Sequence, residues 1–122
     1  GYMHQRTVKK IAEKYLAECV EVYGESKFKQ TTPYLVLERN TTSNTSDPDL
    51  LGEYIQDSNE IILYFSNIKT TVEVIRTVVH EYVHYLQSPT WMTRYYNMGY
   101  GYYDHPYEIA AFSEEDNWIG LF

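Results

Sequence analysis

Between Thr7 and Tyr23, Val8, Ile11, Ala12, Tyr15, Leu16, Cys19, Val20 and Tyr23 recur at spacings of three and four, the repeat of a helix with one buried face. Gly24 supplies a stop, and the polar "ESKFKQTT" reads as a connector. "PYLVLER" is short and rich in strand formers, and its Pro33 suits the first position of a strand or an edge. "LGEYIQDSNEIILYF" reads as two strands joined at the turn-forming "QDSN". The second strand, Glu60 to Phe65, puts Ile61, Leu63 and Phe65 on one face and Ile62 and Tyr64 on the other. From Thr70 to Gln87 the spacing is helical again, with Val72, Ile75, Val79, Tyr82, Val83 and Leu86 on one broad side and Pro89 as the stop. "TWMTRYYNMGYGYYDHPY" is an aromatic loop, after which Pro106 opens a last helix running toward Trp118. Helix, short sheet, helix, long loop and helix together predict an α+β fold in a single domain over residues 1–122, with no internal repeat.

Composition narrows the function classes. The formal net charge of −7 and the lack of any basic run exclude a generic nucleic-acid surface, whose affinity comes from clustered Lys and Arg. No apolar run approaches the roughly 18 residues of a membrane span, and "GYMHQRTVKK" has no signal-peptide core. The single cysteine, Cys19, cannot form an internal disulfide, so a reducing, cytoplasmic setting is expected. On the apolar face of the first helix, Cys19 reads as a buried structural thiol rather than a latency switch for a metal. The 14 tyrosines imply partly wet cavities or a contact surface. The polar "NTTSNTSDPD" is an exposed loop, and its two glycosylation-type triplets read as loop chemistry.

The segment "RTVVHEYVHYLQS" carries the candidate chemistry. Glu73, Arg76, Thr77, His80, His84 and Gln87 form a polar stripe on an otherwise apolar helix, and such a stripe faces bulk water or a cleft. Residues four apart share a helix face, so His80 and His84 can both turn an imidazole nitrogen to one ion. Glu81, rotated by roughly 100°, would reach a water beside that ion instead. Downstream, "GYYDHPYEIAAF" offers Asp104, His105 and Glu108 as a third ligand. Glu108 lies in the first turn of the last helix, and Ala110 and Ala111 after it would allow close packing on the histidine helix.

The H-E-Y-V-H helix followed by a Glu-bearing helix resembles the gluzincin branch of zinc metallopeptidases, and at this length a minimal zincin domain of the minigluzincin type. "HPYEIAAF" is also similar to the P-x-E-x-x-A pattern of small phage-encoded proteins classed as metallopeptidases. The resemblance implies a backing helix, a small twisted, mostly antiparallel sheet, an active-site helix and a glutamate helix. It implies Zn2+ held by His80, His84 and Glu108, with Glu81 as general base. The chain departs from the fuller gluzincin motif in having no identifiable Asn or Asp to hydrogen-bond the first histidine. "GYYDHPY" partly resembles the aspzincin element, in which Asp104 would replace Glu108.

The function so implied is a zinc metalloendopeptidase acting on an extended peptide or protein, as a monomer, in the cytoplasm, that of a phage-infected host included. The substrate is expected along Glu60 to Phe65, taken as an edge strand. A shallow groove would make activity weak or partner-dependent. Tyr95, Tyr96, Tyr100, Tyr102, Tyr103, Tyr107 and His105 are candidates to stabilise the oxyanion. The alternatives are a catalytically inactive zincin-fold module that binds peptide or protein, and a viral structural or interaction protein without metal.

Overall fold

The computed structural model describes residues 3–29, 31–39, 50–87, 97–99 and 105–119, the side chains of 107 and 116–119 aside. The fold is α+β: helix α1 (Gln5–Tyr23), strands β1 (Tyr34–Glu38), β2 (Gly52–Ile55) and β3 (Glu60–Tyr64), a 3-10 turn at Phe65–Asn67, helix α2 (Thr71–Leu86) and helix α3 (Pro106–Ile119).

Helix α1 buries Val8, Ala12 and Cys19 and half-buries the other apolar residues of the same face. It stops at Gly24, whose φ of 75° is left-handed and whose N–H donates to the Val20 carbonyl, a position that glycine fills without a Cβ clash. Burial pushes the Cys19 thiol up to about 12, so it is an inert core group, as expected of it.

Helix α2 starts at a capping box: the Thr70 side chain accepts from the Glu73 N–H while the Glu73 carboxylate accepts from the Thr70 N–H. Two otherwise orphaned donors are thereby satisfied. The helix ends at Leu86, and Pro89 lies outside the described residues. Val74, Ile75, Val78, Val79 and Tyr82 enter the core, whereas Val72, in the first turn, is exposed. Helix α2 contacts α1, β2, β3 and α3, so it is the central element. Tyrosines fasten the connector after α1 to it: Tyr82 Oη donates to the Gly24 carbonyl, and Tyr85 Oη donates to the Thr31 carbonyl at 2.9 Å and accepts from the Ser26 N–H at 3.0 Å. Among the described tyrosines, Tyr64, Tyr82 and Tyr85 are buried with a hydrogen-bonded hydroxyl.

The sheet corrects two expectations. Its order is β1-β3-β2, with β1 parallel and β2 antiparallel to β3, so it is mixed rather than mostly antiparallel. Strand β3 is therefore central, and Glu60 to Tyr64 has no free edge for a substrate. Ile61 and Leu63 pack into the core, while Phe65 leaves the strand for the 3-10 turn. The hairpin turn uses Asn59 at φ 54°, a left-handed conformation asparagine tolerates. Its carbonyl accepts from the Tyr34 N–H, which sets where β1 begins.

The sheet approaches α2 most closely at Gly52. A Cβ there would lie 2.5 Å from Thr77 Cγ2 and 2.7 Å from the Ile62 carbonyl oxygen. Gly52→Ala is expected to destabilise by about 1–3 kcal/mol through overpacking, read as a fall in Tm. An unchanged Tm would mean that β2 can retreat from α2 at no cost.

Among the described residues no helix is long and apolar enough to cross a membrane.

Candidate metal centre

The polar stripe of α2 is buried at Thr77, His80 and His84, while Arg76 stays exposed and His80 borders a cleft. Helix α3 packs along α2, with Ala111 fully buried and Ala110 exposed, so one of the two expected small contacts is made. His80, Glu81 and His84 are all buried, as is Glu108. Pro106 in the first turn of α3 and the Ile109 N–H donating to the His105 carbonyl place Glu108 one turn into that helix, beside both histidines.

The geometry converges on one atom. Glu108 Oε1 lies 2.9 Å from His80 Nε2 and 2.6 Å from His84 Nε2. On the far side of each ring, His80 Nδ1 donates to Glu115 Oε2 at 2.6 Å and His84 Nδ1 donates to Gln87 Oε1 at 2.7 Å. A donated Nδ1–H fixes both rings with Nε2 aimed at the shared point, the arrangement found around metal-bound histidine. A Glu81 carboxylate oxygen and one nitrogen from each ring lie within 4.8 Å of one another. The Phe112 ring packs edge-on against His80 at 4.6 Å between centroids.

Neither Nδ1 acceptor was anticipated from the sequence. The hydrogen bond to His80, for which the sequence offered no Asn or Asp, is made by Glu115, seven residues after Glu108. Two helical turns leave it only about 20° off the Glu108 direction, and that spacing is the signal that would have found it. Gln87, three residues after His84 at the C-cap of α2, stood in the predicted stripe without a role.

His105, expected as a loop or substrate-side residue, lies just before α3 and is completely buried. Asp104 and Tyr95, Tyr96, Tyr100, Tyr102 and Tyr103 lie outside the described residues, as does the side chain of Tyr107.

The electrostatics follow from burial and proximity. Burial opposes charge on His80, but the hydrogen-bonding carboxylates of Glu108 and Glu115 outweigh it and push the imidazole up to about 10. The same contest raises His84, with Glu108 as its principal support. Burial alone would raise Glu108, yet the two imidazoles hold it at about 2. Glu81 is raised, by burial first, while the histidines pull the other way.

A pH dependence follows for the metal-free protein. His80 has a folded value above its ordinary 6.5, so its contribution is complete below 6.5 and is lost as pH rises through about 10. Glu108 has a folded value below 4.5, so its contribution is present above 4.5 and is lost as pH falls through about 2. Thermal melts of chelated protein are therefore expected to peak between 4.5 and 6.5 and to fall on both sides. A Tm that keeps rising from pH 7 to 10 would show that the cluster does not hold the charges the geometry implies.

No family model, curated protein or solved structure matches the chain. The functional reading rests on the site itself.

Proposed function

We propose that this chain is a zinc-dependent metallopeptidase with Glu81 as general base. One observation carries the reading: a single carboxylate oxygen, Glu108 Oε1, meets both His80 Nε2 and His84 Nε2. Two imidazoles and one carboxylate, aimed at one point and backed by fixed Nδ1–H donors, are the donor set of a catalytic zinc site with an open position. The residues fit the ion: His80, His84 and Glu108 would hold it, and it would supply Lewis acidity toward a scissile carbonyl and an attacking water.

The chain's own groups do the rest. Glu81, on the next position of the same helix and lining the cleft with His80, takes a proton on its carboxylate as water attacks and returns it to the leaving amine. Its raised affinity for a proton suits both transfers. Glu115 and Gln87 hold the two rings in one tautomer. Phe112 covers the outer side of His80 and limits water there. An extended peptide would add along β2, which among the described strands pairs only with β3 and whose first residue walls the same cleft.

A second reading has one observation in its favour. Glu108, His80 and His84 satisfy one another by hydrogen bonds without an ion, as a structural ion-pair cluster in a peptide- or protein-binding module would. Incubating the protein with a mixed peptide library, with zinc and then with chelator, separates the two. Cleavage that zinc restores after chelation is expected. Its absence, with zinc bound, would leave the inactive binding module.

A further inference from the structure

Beside the site, between the start of β2 and α3, lies a cleft of about 140 Å³. Leu50, Leu51 and Phe112 make apolar walls, His80 and Glu81 reach it from α2, and Arg76 lines it one helical turn before His80. Arg76 is exposed, is the only lysine or arginine among the described lining residues, and its side chain makes no hydrogen bond or ion pair with another described residue. Two neighbouring acids are engaged elsewhere: Glu73 Oε1 accepts from the Lys69 and Thr70 N–H groups, and Glu115 Oε2 accepts from His80, while Glu81 is buried.

We propose that Arg76 selects peptides bearing a carboxylate next to the scissile bond, either an acidic side chain or a free C-terminus. Side chains one turn apart on a helix face are neighbours, about 5–6 Å between Cβ atoms. The cleft is one side chain in size, so a group at Arg76 and a bond beside His80 belong to the same or adjacent residues of the substrate. The guanidinium fork matches a carboxylate bidentately, and the apolar walls beside it reduce competition from water. The proposal rests on the cleft being the peptide groove of the preceding section and goes beyond it by naming the charge the groove prefers.

Binding and cleavage test it separately. On zinc-loaded Glu81→Gln protein, affinities are measured for capped alanine tetrapeptides carrying one glutamate or one glutamine, and for the alanine tetrapeptide with a free or an amidated C-terminus. At low salt one carboxylate form is expected to bind about tenfold tighter than its neutral partner; which pair shows it tells side chain from C-terminus. Adding Arg76→Gln should bring that ratio to about one, and Arg76→Lys should keep part of it. Both helix formers suit an exposed position, so the fold is spared. A ratio near one in the Arg76 protein, or one that survives Arg76→Gln, overturns the proposal. An Arg76-dependent ratio with no cleavage by the parent keeps Arg76 as the carboxylate-binding residue of the groove and removes the hydrolytic reading; cleavage without charge preference does the reverse.

Discussion

Glu81→Gln is expected to keep the fold and zinc while losing hydrolysis by on the order of 10²–10⁴-fold, the usual worth of a positioned general base. An amide has nearly the carboxylate's shape but does not accept the proton. The buried position makes the charge costly, since burial is the first cause of the raised Glu81 affinity for protons. Removing that charge should therefore leave Tm unchanged or slightly higher. Zinc stays because His80, His84 and Glu108 are untouched. Zinc content, thermal melting and peptide-library cleavage, measured together on parent and variant, check the three statements, and a Glu81→Gln protein cleaving at the parent's rate would remove Glu81 from the chemistry.

Glu108→Ala has the other large effect: loss of stoichiometric zinc together with a stability loss of about 3–5 kcal/mol in the metal-free protein at pH 6. The second figure is that of leaving buried charge without its partner, because both Nε2–H groups lose the oxygen they share. Glu115→Gln removes the charge behind His80 but keeps an acceptor, and should weaken zinc by roughly 10–100-fold without abolishing it. Chelator titration with a zinc-sensitive dye gives both affinities. Should Glu108→Ala retain zinc while Asp104→Ala releases it, Asp104 is the ligand.

Much of this was legible in the chain because helices declare themselves locally. The apolar arc from Ile75 to Tyr82 and the Pro106 start are period and punctuation, and they place α2 and α3 from the sequence alone. Strand order is not local. Nothing in the alternation of Glu60 to Tyr64 says that β1 would pair with it in parallel and turn it into the central strand. The polar stripe was equally ambiguous: periodicity locates a polar face, but the cover provided by α3 depends on where a helix beyond the loop docks. The candidate ligands came from spacing along α2 and from a carboxylate one turn into the next helix. Glu115 was missed because a motif comparison looks for a set residue type, whereas the helix needed only an acceptor two turns beyond Glu108.

X-ray diffraction from zinc-soaked crystals, recorded on both sides of the zinc absorption edge, tests the central claim most directly. One anomalous peak is predicted among His80 Nε2, His84 Nε2 and the Glu108 carboxylate, with Glu115 and Gln87 still on the two Nδ1 atoms. Crystals that take up no zinc there, with Glu108 remaining bonded to both rings, would contradict it.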